Sequence, residues 1–163
     1  MKLLIGHSDL VAEWAKRRIP HMRNTNGFGP CEAFGVIGGE DGAELLGAVI
    51  YHNYCPWYRS IEWSAAAKTP NWLTRDIIND IVAYAFEKLG CVRITAAIPK
   101  KAIRVREFHR RFGFKQEGLV RRGFGNDDAT VYGLLRSDWA KSPFNLSRVV
   151  DGEEKLTSAA RAS

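Results

Sequence analysis

The run Val92–Ile98 constrains the fold more than any other stretch. It is rich in β-branched residues, holds no turn former, and reads as a strand covered on both faces. Such a strand needs partners beside it and helices over it. The neighbouring sequence supplies both. Before it, Trp72 to Leu89 places Leu73, Ile77, Ile78, Ile81, Val82, Ala85, Phe86 and Leu89 at a 3.6-residue period, opened by Thr69-Pro70-Asn71 and closed by Gly90. After it, beyond Pro99, a basic helix runs to about Phe112 and stops at Gly113.

The flanks extend the pattern. A first helix starts at the N-cap Ser8, carries Leu10, Val11, Trp14, Ala15 and Arg18, and closes at Pro20. A turn-rich loop, Asn24 to Pro30, leads into strands at Ala33–Ile37, Glu44–Tyr54 and Ser60–Ala66, the first two joined by a hairpin turn at Gly38 to Gly42. Two more strands, Phe114–Arg121 and Ala129–Leu135, follow the basic helix. Helix, three strands, helix, strand, helix and two strands give an α/β fold of the α+β sandwich type, in a single domain over residues 1–144. Residues 145–163 are polar and small, the composition of a disordered tail.

With 163 residues and a hydrophobic fraction of 45%, the chain can bury a core. Its apolar runs fall short of the roughly 20 residues of a membrane span, so no membrane partner is expected. The apolar start is too short for a signal peptide, and Cys31, Cys55 and Cys91 make no disulfide framework, which points to the cytoplasm. His7, His21, His52 and His109 lack metal-ligand spacing, so no metal is expected, and there is neither a Walker motif nor a Gly-x-Ser-x-Gly.

Charge is concentrated. Nine basic residues lie between Lys100 and Arg122, opposed only by Glu107 and Glu117, a net +7 in a chain whose total is +6. This is either a solvated helix face or a surface for an anionic partner. Interleaved with Phe108, Phe112, Phe114 and Phe124, it also has the composition of a phosphate-tracking nucleic-acid surface with stacking platforms. In the strand Ser60–Ala66, Glu62 and Ser64 share one face while Ile61, Trp63 and Ala65 share the other. A lone acid among Ile61 and Trp63 is costly to bury and marks a candidate site.

The stretch Phe108-His109-Arg110-Arg111-Phe112-Gly113-Phe114-Lys115-Gln116-Glu117-Gly118 resembles the GNAT superfamily, the Gcn5-related N-acetyltransferases, in which a helix ends in Gly-Phe and a strand begins with Glu-Gly. Leu119-Val120-Arg121-Arg122, Asp127/Asp128 and Tyr132-Gly133-Leu134-Leu135-Arg136 are similar to the branch that acetylates ribosomal-protein N-termini. The run Trp72-Leu73-Thr74-Arg75 is similar to phage- and prophage-encoded members. The resemblance implies a mixed, largely antiparallel sheet whose central parallel pair, Ser60–Ala66 and Val92–Ile98, splays apart, with flanking helices. It implies acetyl-CoA as co-substrate and an amine acceptor, a small molecule or a protein N-terminus, attacking directly in a ternary complex. Glu62, with Ser64 beside it, takes the general-base position and His109 the place of the proton donor to the thiolate. The cofactor would meet Trp63, Ala65, Lys68, Thr69, Asn71, Trp72, Leu73, Thr74, Arg75 and Arg104. His52, Tyr54 and Trp57 would line the acceptor pocket. Edge strands after Gly113 could pair a homodimer. Two positions depart from the family: no glycine occurs from Ser60 to Phe86, and Ala102 stands where many members have Asn. A nucleic-acid-modifying or nucleic-acid-binding relative, and a GNAT-shaped binding protein without catalysis, are the alternative readings.

Overall fold

The computed structural model describes residues 1–146. In chain order the elements are β1 (Lys2–Leu4), α1 (Ser8–Arg18), β2 (Cys31–Gly38), β3 (Glu44–Cys55), β4 (Ser60–Ala67), α2 (Arg75–Ala83), β5 (Arg93–Pro99), α3 (Ile103–Arg111), β6 (Lys115–Val120), β7 (Ala129–Leu135) and the single turn α4 (Arg136–Trp139). The strands form one sheet in the order β1-β2-β3-β4-β5-β7-β6. Only the pair β4–β5 is parallel. The short β1 was not anticipated, and a three-residue strand offers almost no periodicity to detect.

Side-chain alternation gives the sheet two different covers. Phe34, Val36, Val49, Tyr51, Ile61, Trp63, Ile94, Ile98, Tyr132 and Leu134 turn to one face, where Ile77, Ile78, Ile81 and Phe86 of α2 and its continuation pack on them. Ala33, Ala48, Ile50 and Ala66 turn to the other, against Val11 and Ala15 of α1. The small alanines let α1 lie close to the sheet.

The cover of α1 is partial, and this corrects the reading of Val92–Ile98. Along β5, Ile94, Ala96 and Ile98 are buried, but Arg93 and Thr95 are half-buried and Ala97 is exposed. The contacts of α1 with the sheet are chiefly to β2, β3 and β4. The second face of β5 is polar: Arg93 Nε donates to Thr95 Oγ1 at 2.8 Å, and its guanidinium pairs with Glu117 of β6.

The second helix also differs from expectation. It starts at Arg75, not Trp72, because Thr74 is the N-cap, with extended backbone and Oγ1 accepting from the Ile77 N–H at 3.3 Å. It then continues as a π-helical turn over Tyr84–Lys88. Trp72 instead drops into the core. Phe108 of α3 stacks on it at 5.9 Å with the planes 17° apart, and Gly47 of β3 lies beneath its indole with no room for a Cβ. Leu146, the last described residue, donates its N–H to Asn79 Oδ1 of α2, and Asn145 Nδ2 donates to the Trp139 carbonyl. The rest of the expected tail lies outside the described residues.

Candidate active site

β4 and β5 run side by side for three residues and then part. Ser60 faces Arg93, Ile61 faces Ile94 and Glu62 faces Thr95, and there the ladder ends. Past that point each strand remains sewn to its outer neighbour: β4 pairs with β3 as far as Ala67, and β5 pairs with β7 as far as Pro99. The result is a wedge-shaped opening between Trp63–Ala67 and Ala96–Pro99, walled by alanines. The main chain of β4 is available there. Lys68 gives its N–H to the Leu46 carbonyl, so by alternation Ser64 and Ala66 spend theirs on β3, while Ala65 and Ala67 turn theirs toward β5. An unpaired strand edge of this kind accepts an extended ligand bearing amides.

On the α1 side of the opening stand Glu62 and Ser64. The Glu62 side chain is 45% exposed, so the acid is half in water and not buried as its apolar neighbours suggested. Its Oε2 accepts from Asn53 Nδ2 at 3.2 Å and lies 3.8 Å from His52 Nδ1. His52 Nε2 is 3.0 Å from Ser64 Oγ. Burial pulls the His52 pKa below its usual value, against an upward pull from Glu62, so the imidazole is neutral at pH 7. Asn53 holds φ = 50°, a left-handed backbone beside the irregularity in the β3–β4 register. Phe28, from the loop after α1, packs on His52 with ring centroids 5.4 Å apart. His21, from the turn of 3₁₀ helix at Pro20–Met22, meets Phe124 of the β6–β7 turn at 4.4 Å. Sequence reasoning missed Asn53 and Phe28 as neighbours of the Glu62–His52 pair. The turn-rich composition of Asn24–Pro30 was the available signal for that loop, while nothing local marks Asn53.

The far side of the opening corrects the expectation for His109. Its residue is 2% exposed, deep under α3. Trp63 Nε1 donates to His109 Nε2 at 2.8 Å, and an indole nitrogen can only donate, so Nε2 carries no proton. Nδ1 therefore holds the proton and donates it to the Val105 carbonyl at 2.7 Å. Burial lowers the pKa to about 4. A neutral imidazole whose one N–H is tied to backbone is no proton donor at neutral pH. The Gly-Phe pair explains its place: Gly113, at φ = 94°, turns the chain after α3 so that Phe114 enters the core 5.1 Å from His109 and 5.0 Å from Trp63.

The residues expected to meet a cofactor divide. Trp63 and Trp72 have buried side chains, so only their main chain could touch a ligand. Leu73 and Thr74 are half-buried at the start of α2. Arg75 and Asp76 occupy its first turn, where N–H groups have no carbonyl one turn back. Thr69, Asn71 and Arg104 are exposed, and Arg75 is exposed with its guanidinium 5.6 Å above Phe144. Lys68 turns away to Glu44 of β3 and is not aimed at the helix start. Tyr54 is 45% and Trp57 89% exposed, with Trp57 in the β3–β4 hairpin. The expected nucleic-acid platforms are also corrected. Phe114 is buried, Phe108 and Phe112 stack within the protein, and Phe124 lies against His21. Among the described residues no group of three His, Cys, Asp or Glu is arranged to hold a metal, and no helix is long and apolar enough to cross a membrane.

The seven-stranded mixed sheet with one splayed parallel pair and helices on both faces is the GNAT N-acetyltransferase fold. No protein-family model and no curated protein matches the sequence. Solved structures do. A point-mutant form of the spermidine N-acetyltransferase SpeG from Vibrio cholerae superposes with a TM-score of 0.65 at 17% identity, over 85% of this chain and 97% of its own. A SpeG chimera from Vibrio cholerae and hSSAT gives 0.58 at 20% identity, over 67% and 70%. The ribosomal-protein-S5-alanine acetyltransferase from Vibrio fischeri gives 0.58 at 17%, over 67% and 63%. At these identities the likeness is one of fold.

Proposed function

We propose that this protein is an acyl-CoA-dependent N-acyltransferase that passes an acetyl group from acetyl-CoA to a primary amine by direct attack in a ternary complex. The observation that carries the reading is the parting of β4 and β5 after Glu62 and Thr95, with both strands still anchored on their outer edges. Acetyl-CoA, when bound, supplies the activated acetyl group. The residues fit such a ligand. The free edge of β4 at Ala65 and Ala67 offers donors and acceptors to an amide-bearing arm. The first-turn N–H groups of Arg75 and Asp76, capped by Thr74, suit phosphate, and the Arg75 and Arg104 side chains add positive charge that glycine-mediated backbone contacts would otherwise provide.

Within this reading Glu62 removes the proton of the incoming ammonium, directly or through water. Asn53 donates to the carboxylate, and His52, hydrogen-bonded to Ser64, lies 3.8 Å from it. The Ala65 N–H, aimed into the opening, stabilises the oxygen on which negative charge develops during attack. Phe28, packed on His52, borders the acceptor side. His109 stays neutral and holds Trp63 in place. Acceptors fall among polyamines and protein N-termini, in keeping with fold neighbours named for spermidine and for a ribosomal-protein alanine.

The test is thermal unfolding of the native chain with and without acetyl-CoA. At a hundredfold excess over Kd the ligand stabilises by about 2.7 kcal/mol, raising Tm by roughly 5–10 °C for a chain this size. An unshifted Tm at millimolar acetyl-CoA in the native chain refutes the reading.

A further inference from the structure

Three side chains on the α1 side of the sheet stand in an order that direct amine transfer leaves unexplained. Ser64 Oγ is 3.0 Å from His52 Nε2, and His52 Nδ1 is 3.8 Å from Glu62 Oε2. The register accounts for the grouping. His52 of β3 lies opposite Glu62 of β4, and Ser64 follows two residues later on the same face, within diagonal reach of the ring. Asn53 donates to the Glu62 carboxylate and Phe28 packs on the imidazole, so both partners of Ser64 are braced from outside.

The proton positions follow from the partners. A carboxylate only accepts, so the imidazole proton is favoured on Nδ1, facing Glu62, and Nε2 is left as an acceptor. Ser64 Oγ has no other hydrogen-bond partner among the described residues, so its proton points at Nε2. Burial keeps the ring neutral at pH 7 despite the nearby carboxylate, which leaves Nε2 able to take that proton. The next residue supplies a further element. Ala65 turns its N–H into the opening between β4 and β5, one position beyond the hydroxyl. A donor directly after a nucleophile is placed to receive the charge on an attacked carbonyl oxygen. Ser64 keeps part of its surface in solvent, as a nucleophile for a small acyl compound must.

We propose that Ser64 is a nucleophile with His52 as its base, and that the protein hydrolyses small activated acyl esters and thioesters through an acyl-serine. In the first step Ser64 Oγ bonds to the acyl carbon, its proton passes to His52 Nε2, and the bond from the acyl carbon to the alcohol or thiol breaks. The proton on Nε2 then goes to the leaving group. In the second step water attacks the acyl carbon and gives a proton to Nε2. The bond from Oγ to the acyl carbon breaks, Oγ takes that proton back, and the carboxylic acid is released. The activity needs neither an amine nor CoA, so it goes beyond direct transfer and is tested apart from it.

The experiment treats the native chain with diisopropyl fluorophosphate, which phosphorylates an activated serine irreversibly, and maps the label by mass spectrometry. A label on Ser64 is expected, forming about a hundredfold or more faster than on Ser64 of the urea-unfolded chain, where the His52 contact is gone. This comparison needs no variant to fold. His52→Gln should slow the labelling by a similar factor, and Ser64→Ala should remove it. With p-nitrophenyl acetate, Ser64→Ala should lower the release of nitrophenolate by about tenfold or more. Label on Cys31 or on lysines in place of Ser64, or equal labelling of the native and unfolded chains, would overturn the proposal. So would a His52→Gln variant that labels like the native chain, or unchanged ester turnover in Ser64→Ala. A Tm that does not respond to acetyl-CoA, beside a Ser64 that labels as expected, would remove the transferase reading and support this one.

Discussion

His109 provides a stability experiment whose magnitude follows from the structure. In the folded protein its pKa is about 4, from a reference of 6.5, because burial disfavours the charged ring by more than the Val105 carbonyl, which accepts from Nδ1, favours it. The sign is set by proton counting. Between pH 6.5 and 4 the unfolded chain binds a proton at this residue and the native state does not, so acidification favours unfolding. The stability from a neutral His109 is fully present above pH 6.5 and is lost as pH falls toward 4. At about 1.4 kcal/mol per pH unit, the shift of about 2.5 units corresponds to roughly 3 kcal/mol. His21 and His52 are also lowered by burial and contribute in the same direction, so the total slope is not specific to His109. His109→Gln isolates it, since an amide oxygen can still accept from the indole but does not titrate. Urea unfolding of both proteins at half-unit steps from pH 7.5 to 4 should show the native chain ahead at neutral pH. That lead should shrink by roughly 3 kcal/mol on acidification. A difference between the two proteins that stays constant with pH would refute the neutral, doubly bonded ring.

The same variant separates packing from catalysis: with an N–H that is never released, His109→Gln should keep kcat within about fivefold, whereas loss of a proton donor costs about 10²–10⁴. Glu62→Gln keeps the Asn53 contact but cannot take a proton, so kcat should fall about a hundredfold or more while acetyl-CoA affinity, measured by calorimetry, changes less than twofold. Unchanged turnover would remove Glu62 from the reaction. At Gly47 a Cβ would lie 2.8 Å from Trp72 Cγ and nearer still to two other ring atoms, so Gly47→Ala should destabilise by about 1–3 kcal/mol in urea and loosen the Trp72–Phe108 stack; a neutral substitution would mean that Trp72 is not wedged there.

The fold was legible wherever a periodicity was long enough to read. β2, β3, β4, β6 and β7 begin and end within about two residues of their expected bounds, because alternation and turn residues enclose each of them. The start of α2 was misplaced since Trp72 and Leu73 extend the helical stripe in sequence while their side chains serve other contacts. Thr74, three residues before Ile77, carries the actual cap. Covering both faces of β5 was over-read for a related reason: Thr95 is β-branched yet polar in its role, and nothing local reports how far α1 extends across the sheet.

The site was legible by strand and not by function. Alternation along β4 separates Glu62 and Ser64 from Trp63 and Ala65, and the structure gives the two sets different environments: one half-wet and hydrogen-bonded to β3, the other packed on the core. What one strand cannot show is the chemistry imposed across the fold. His109 looks like a titrating acid when read beside Arg110 and Arg111, yet 46 residues upstream the indole of Trp63 fixes its tautomer. The consequence is an asymmetric opening. In the proposed reaction, a proton leaving the amine goes to the Glu62 carboxylate on the α1 side. A proton returning to the departing thiolate has no residue of α3 to come from, because the ring nearest in sequence to that role is locked. The transferase reading therefore makes proton supply to the thiolate a task for solvent entering between β4 and β5, past the half-exposed Thr95.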